Sequence, residues 1–520
     1  MIALLKYGTP TSQTFHLIDE SDTGGIAGVF VDGVLYTGDT LNAANDYTGI
    51  VTVTGLSSGT HTWQPALDGV AQGQQKTFKT APKAGEKMKL VVAADITGNA
   101  QGLSIIAGEN ADYGITIGDT AYHDVGNDFG TKCGCAALPE AADAVVFQTV
   151  LGAYRCKWRC SYEYATFRSR LFSQHQWELN WHNHEFETPP FQVMTNTQDG
   201  GIKYQAAKQA ADEYLFAGGC PRNGNYDSYP NPRVYRDFVV GDLHCLIFDN
   251  TSYGFVNGTA KSLFEGSVPN GSGGSNVGSQ QLDWAVATMQ ASTSQFICLF
   301  TPAEPVHTSD NATAGAQWDT LWAAIDALQN KTVILFCGDT HQALIETLGG
   351  TKLPNNPLVV VNATPLAHPL RSSASEAWVS NNDATRHFWK MAEPLQVWAL
   401  GKPFYEGAVV FPSTANGFYY TATNSGTTGG TEVWPTTIGS TVPDGGITWV
   451  CRDDKLDPDA DFNYNYATVD VFPNGGVHSN KSHILVSVKN ALTGQVRTSF
   501  YINAGERTAN FIGGKAGVLQ

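Results

Sequence analysis

The residues best placed to do chemistry are Gly118-Asp119-Thr120-Ala121-Tyr122. They follow Tyr113-Gly114-Ile115-Thr116-Ile117, a short apolar run of the kind that forms a fully buried strand. A strand that ends on Gly-Asp delivers a carboxylate to the carboxyl edge of a sheet, where α/β proteins bind ligands. Gly118 lets the backbone approach whatever Asp119 holds, and Tyr122 returns to the same point three residues later. A carboxylate and a phenol converging in this way suit a hard trivalent metal; an ordinary polar turn is the alternative. Three more segments have the same character. Asp95 closes the run Leu90-Val91-Val92-Ala93-Ala94. Trp181-His182-Asn183-His184-Glu185 offers an amide oxygen as a ligand beside an imidazole that can give a proton. Gly338-Asp339-Thr340-His341 follows another apolar run and sets a carboxylate and an imidazole two residues apart. Each segment alone is a weak signal. Together, at predicted strand ends or in tight polar loops of one region, they indicate a metal site.

Elements able to position these groups begin near Lys89. The pattern predicts helices over about 141–179, 206–214, 280–289 and 318–328, strands at 296–300 and 333–337, and a hairpin over 237–248. Strands alternating with helices mean an α/β layered domain. Tyr154, Trp158, Tyr162 and Phe167 form an aromatic stripe that reads as core, and 266–279 is a Gly/Ser-rich surface loop. Residues 1–84 read as a small all-β sandwich of immunoglobulin or fibronectin type, with Asp32-Gly33 as a hairpin signal between alternating runs. Aromatics and turn residues dominate 397–454, a small all-β module inserted into the α/β domain. That domain spans 85–396 and is completed by strands within 455–520.

The chain has 520 residues and a formal charge of −17, which argues against nucleic acid or an anionic membrane surface as the main partner. A phosphate substrate is not excluded, because a metal centre reverses the local field. Met1-Ile2-Ala3-Leu4-Leu5 is interrupted by Lys6 and lacks the regions of a secretory signal, and no apolar run reaches the length of a membrane span. The expectation is a soluble protein with no signal peptide. Nine cysteines in so long a chain are no small disulfide framework. Cys133-x-Cys135 and Cys156-x-x-x-Cys160 suit a four-thiolate structural zinc site, a disulfide between the pairs, or free thiols. Cys220, Cys245, Cys298, Cys337 and Cys451 read as small buried hydrophobes.

Taken together, the strand-end motifs resemble the calcineurin-like metallophosphatase signature: a strand-end Asp, Gly-Asp-x-x-Tyr, Gly-Asn-His-Glu and Gly-His-x-His. The Tyr122 variant is similar to purple acid phosphatases and to the alkaline phosphatase D (PhoD-like) family. Asp339 in place of the first His of the last motif resembles the latter specifically. So do Tyr154-Arg155-Cys156-Lys157-Trp158-Arg159 leading through Arg168 and Arg170, residues 210–214, Gln281-Leu282-Asp283-Trp284 and Gln317-Trp318-Asp319. The resemblance implies a metallophosphatase β-sandwich flanked by helices, and a phosphoesterase acting on mono- or diesters through a metal-bound hydroxide at a dinuclear centre. Asp119 would bridge the metals. Asp95, Tyr122 and His341 would complete a site suited to Fe3+, and Asn183 and Asp339 would serve a second site suited to Ca2+, Mn2+ or Mg2+. His184 would stay outside the coordination shell and protonate the leaving oxygen or stabilise the transition state.

Two departures stand out. His182 replaces the Gly before Asn-His-Glu and crowds the turn. Phe300-Thr301-Pro302 stands where purple acid phosphatases supply a His, with His307 or Glu304 as replacements, or water. The module at 397–454 resembles small β modules of bacteriophage structural proteins. That resemblance implies a virion-associated protein, with other virion proteins or a cell-surface glycan as partners. Trp434, Trp449, Tyr419 and Tyr420 are then sugar-stacking groups or the module's own core. The competing readings are a phage structural or adhesion protein that retains a phosphatase-like scaffold, and a carbohydrate-binding protein.

Overall fold

The computed structural model describes residues 1–96, 100–120, 134–136, 146–163, 175–185, 198–221, 234–249, 280–302, 312–338, 343–348, 353–363, 387–390, 396–404, 409–414, 416, 418–430, 432–437, 439–453, 465–491, 494 and 496–512. The first eight strands make two facing sheets around one core. β1 (Ile2–Thr9), β2 (Ser12–Ile18) and β5 (Thr48–Thr54) form one sheet; β3 (Gly25–Val31), β4 (Val34–Leu41), β6 (Thr60–Leu67), β7 (Val70–Ala71) and β8 (Lys76–Lys79) form the other. Phe15, Val29, Val51, Trp63 and Phe78 pack between them. Asp32 and Gly33 both take positive φ, 49° and 82°, as the tight turn between β3 and β4 requires. The two opening strands, β1 and β2, go beyond what the sequence pattern indicated.

The central region is a four-layer sandwich. One seven-stranded sheet has the order β11-β10-β9-β26-β27-β28-β29, built from β9 (Met88–Ala93), β10 (Tyr113–Thr116), β11 (Gln176–Leu179), β26 (Asn465–Phe472), β27 (His483–Asn490), β28 (Val496–Asn503) and β29 (Asn510–Phe511). The second runs β12-β13-β14-β15-β17-β16-β18, from β12 (Arg236–Val240), β13 (Leu243–Ile247), β14 (Phe296–Thr301), β15 (Thr332–Cys337), β16 (Ala343–Leu348), β17 (Leu358–Ala363) and β18 (His387–Lys390). Residues alternate across each strand. Leu90, Val92 and Ala94 face Cys298, Phe300, Ile334 and Phe336 in the core between the sheets. Val91 and Ala93 point the other way, to α1 (Ala100–Ala107), α2 (Phe147–Glu163) and α3 (Gln198–Tyr214). Ile297, Leu299, Val333 and Leu335 likewise meet α4 (Gln280–Ala291) and α5 (Ala312–Ala327). Strands covered on both faces must be apolar throughout, which is why they read as unbroken apolar runs. Each large side chain so buried contributes roughly 1.5–3 kcal/mol.

One predicted element is corrected. The helix expected over 141–179 does not run through to Leu179: α2 covers Phe147–Glu163, and Gln176–Leu179 is a strand in parallel register with Tyr113–Thr116. All four residues of that strand are buried. The Glu178 carboxylate accepts hydrogen bonds from Arg236 Nε at 3.2 Å and the Cys220 amide at 2.8 Å, so tertiary partners hold the strand where local spacing suggested helix. Tyr154 and Trp158 are core, as expected. Tyr162's side chain, Phe167 and 266–279 lie outside the described residues.

The N-terminal sandwich is tied to this edge of the central layers. Lys6 Nζ donates to Leu215 O at 2.7 Å, the Tyr7 amide to Gly218 O at 3.0 Å, and Gln176 Nε2 to Lys79 O at 2.9 Å. Arg159 reaches Asp22 at 2.7 Å and Asp46 O at 3.0 Å from α2.

Along the chain between β18 and β26 comes a small mixed sheet. It contains β19 (Gln396–Val397), β21 (Val409–Phe411), β22 (Phe418–Ala422), β24 (Thr441–Asp444) and β25 (Ile447–Asp453), with the pair β20 (Pro403–Phe404) and β23 (Gly426–Thr427) beside it. Tyr420 and Trp449 are fully buried in its core, and Trp434 stacks on Tyr420 with ring centroids 4.1 Å apart. These aromatics are the module's own core, and the two buried rings are closed to sugar stacking.

Of the three alternatives open for the cysteine quartet, the disulfide is the one found. Cys135 and Cys156 are joined in a disulfide across 5.8 Å between Cα atoms, and Cys160 is also disulfide-bonded. Disulfide sulfurs are not thiolate ligands, so these residues do not form the four-thiolate zinc site; Cys133 lies outside the described residues. The other five cysteines are free and buried. Among the described residues no helix is long and apolar enough to cross a membrane.

Candidate active site

The parallel strands of the two sheets end at one place. Asp95 follows β9 and Asp119 follows β10, which run parallel and in register. Both aspartates are almost fully buried. Each has left-handed backbone, φ 54° and 49°, a conformation Asp tolerates better than most residues. This turn ends each strand abruptly and keeps the two ends together: the Asp95 amide donates to Gly118 O at 3.2 Å and the Ile96 amide to Asp119 O at 2.7 Å.

Beyond β11 the chain turns through a short 3-10 segment, Asn183–Glu185. The buried Glu185 carboxylate accepts from the His182 amide at 2.6 Å, the three-residue spacing of a capping box. The turn grips Asp119 by both oxygens. His182 Nδ1 lies 3.1 Å from Oδ2, and the His184 amide donates to Oδ1 at 3.3 Å. Because a carboxylate accepts and does not donate, the His182 tautomer carries its proton on Nδ1. Thr120, next to Asp119, has its hydroxyl 2.9 Å from Thr116 Oγ1 and 3.3 Å from Asn180 O, its one hydrogen shared between them, which staples β10 to the end of β11.

The second sheet closes the site from the other side. Pro302, just past β14, accepts a hydrogen bond from the Gly338 amide at 3.1 Å, and Asn362 Nδ2 lies 3.5 Å from Gly338 O. A methyl group on Gly338 would stand 3.1 Å from Ala94 Cβ and 3.7 Å from Asp95 Oδ2. One on Gly118 would stand 2.9 Å from His182 Cβ and 3.1 Å from Pro302 Cβ. These contacts bring Gly338, immediately before Asp339, to the Asp95 and Asp119 ends. Asn180 Nδ2 also donates to Phe248 O at 2.9 Å, joining β11 to the end of β13. Behind the site, burial and then the Glu178 carboxylate push the Tyr113 hydroxyl and the Cys220 thiol well above their usual ranges. Both remain neutral supports of β11.

Of the residues singled out in the sequence, the structure therefore brings together Asp95, Asp119 and the His184 loop. Tyr122, Asp339, His341 and His307 lie outside the described residues, as does the side chain of Asn183. His182 packs where a Cβ on Gly118 would come within 2.9 Å of its own Cβ, so the missing side chain of Gly118 leaves room for it. Pro302, where a histidine was missed, is a packing wedge between the Gly118 and Gly338 turns. Sequence reasoning overlooked the contact of His182 with Asp119, the staple through Thr120, and the cap by Glu185. For Glu185 the His-x-x-Glu spacing was a usable signal; the other contacts carry no local mark. Among the described residues no three His, Cys, Asp or Glu side chains lie close enough to hold a metal. The described donors are two hard carboxylates with imidazoles at their margin, a set that suits oxygen-preferring cations.

A helix-flanked double sheet whose strand ends gather buried aspartates beside a His-Asn-His-Glu turn is the fold class of the phosphatases that the strand-end motifs resemble. The comparisons narrow the class. The PhoD-like phosphatase family matches residues 97–396. The chain belongs to that family, and with it to the phosphoric ester hydrolases. Among solved structures, one titled "Structure of PhoD" superposes with a TM-score of 0.62 at 13% identity, covering 100% of this chain and 93% of that one. A purple acid phosphatase, PPD1, from yellow lupin (Lupinus luteus) seeds matches with a TM-score of 0.49 at 11% identity, over 96% of this chain and 74% of that one. No curated protein matches the sequence.

Proposed function

We propose that this chain is a metal-dependent phosphoesterase with a dinuclear centre, hydrolysing phosphate mono- or diesters. The observation that carries the proposal is the pair of buried aspartates, Asp95 and Asp119, at adjacent strand ends with the His184 turn bonded to Asp119. In this reading Asp119 would serve both ions. Asp95, Tyr122 and His341 would hold Fe3+, and Asn183 and Asp339 would hold Ca2+, Mn2+ or Mg2+. Such ions would supply Lewis-acid stabilisation of charge on the phosphoryl oxygens. His184 supplies the proton: water oxygen bonds to phosphorus, the bond from phosphorus to the leaving oxygen breaks, the leaving oxygen takes a proton from the imidazolium, and the proton released by the attacking water returns the imidazole to its protonated form. The hydrogen bond from the His184 amide to Asp119 Oδ1 holds the His184 backbone beside that carboxylate. Resemblance of 397–454 to phage structural modules supports a virion-associated setting for the enzyme. The experiment is turnover of a chromogenic phosphodiester by the full chain and by Asp119→Ala, with metal content measured on both. Turnover and metal that are both lost in the variant support the proposal; a folded, metal-supplied wild type that hydrolyses nothing overturns it.

A further inference from the structure

We propose that His182 is a positioning residue for this centre, donating from Nδ1–H to Asp119 Oδ2 and so fixing how the Asp119 carboxylate meets metal. The inference rests on the metal-centre reading above and adds a group that the motif pattern, with glycine at this position, does not contain.

Four observations converge on it. His182 and Asp119 are both almost fully buried, and their atoms lie 3.1 Å apart with a geometry that directs the ring N–H at the carboxylate oxygen. The other oxygen is held from the same turn, by the His184 amide at 3.3 Å, so the carboxylate is gripped at both ends. The turn is itself locked, because the His182 amide is bonded to Glu185 Oε2 at 2.6 Å. Space for the imidazole is built in: Gly118 lacks the Cβ that would stand 2.9 Å from His182 Cβ. A glycine at 182 would leave Asp119 Oδ2 without this donor and would give the turn more backbone freedom. Hydrogen bonds of this outer kind orient metal ligands, and their loss typically weakens metal binding by about 10–100-fold.

The donor atom can be tested by placing an amide where each ring nitrogen stands. The Nδ2 of an asparagine reaches the position of His Nδ1, whereas the Nε2 of a glutamine reaches that of His Nε2. Metal-stripped full-length wild type, His182→Ala, His182→Asn and His182→Gln would be titrated with Mn2+ alone, with circular dichroism to establish folding. The expected result is Mn2+ binding weakened about 10–100-fold in His182→Ala and His182→Gln, and near the wild-type value in His182→Asn. Equal affinity in wild type and His182→Ala overturns the proposal. So does a folded His182→Asn that binds as weakly as His182→Gln, the outcome expected if the imidazole were itself a metal ligand. If His182→Ala does not fold, the Asn and Gln variants decide between these outcomes. Wild type that takes up no Mn2+, or Asp119→Ala that binds as well as wild type, overturns the metal-centre reading itself.

Discussion

Replacing Gly118 by alanine probes the joint between the two sheets. The added Cβ would lie 2.9 Å from His182 Cβ, 3.1 Å from Pro302 Cβ and 3.1 Å from Trp181 O. Carbon atoms pack at about 3.5–4.0 Å, so the methyl overlaps a side-chain root and a proline ring and crowds a backbone oxygen. None of these is the loose end of a flexible chain. Overpacking of this kind costs about 1–3 kcal/mol. Relief requires the His182 turn to move, which draws Nδ1 and the His184 amide away from Asp119. His182→Gly has its own cost, the loss of a hydrogen bond to a carboxylate, about 1.5–3 kcal/mol. In the double variant the nearest clash is gone, so the two costs should sum to more than the double variant shows, with a coupling of about 0.5–3 kcal/mol. Urea unfolding of metal-free protein, followed by tryptophan fluorescence, reads this cycle, since Trp177 and Trp181 are buried at this edge. Costs that add within roughly 0.5 kcal/mol would refute the reasoning, because sites in contact should not be independent.

Two further outcomes separate roles within the account. Asn183→Ala should lose most turnover and recover part of it with added divalent ion, whereas His184→Ala should keep its metals and lose about a hundredfold or more in rate without recovery; metal content and phosphodiester turnover of both variants check this. Lys6, fully buried against Leu215, has its pKa lowered by burial from 10.5 to about 7, so folding favours its neutral form. Its contribution to stability is therefore most unfavourable below pH 7 and is recovered as pH rises towards 10.5, on the order of 5 kcal/mol over that window. The stability difference between wild type and Lys6→Met should change by that order between pH 7 and 10, in favour of wild type at high pH; a difference independent of pH would contradict the assignment.

What the sequence made legible follows from locality. Strands β9, β10, β14 and β15 are buried on both faces, so their apolar runs are continuous, and the Gly-Asp and strand-end Asp signals fall where those runs stop. The hairpin at Asp32-Gly33 was legible because its two positive φ angles demand such residues. Strand β11 was not, because Gln176 and Glu178 look like exposed helix residues until Arg236 appears, 58 positions beyond Glu178. The same holds for His182: its room comes from Gly118, in the turn after β10, and its hydrogen bond goes to Asp119, 63 positions away. Cysteine spacing left the Cys135–Cys156 bond open among three alternatives, since a disulfide depends on the approach of α2 to a distant loop.

The central claim is that the gathered strand ends form a working metal centre. Elemental analysis of full-length protein purified without added metal tests it most directly, read beside Asp119→Ala and with a visible spectrum of each. The expected results are iron with a second divalent ion in wild type, a tyrosinate absorption that disappears in Tyr122→Phe, and loss of both metals in folded Asp119→Ala. Wild type that is folded and free of metal, and that acquires none when iron and Mn2+ are supplied, would contradict it and leave the sandwich a phosphatase-like scaffold.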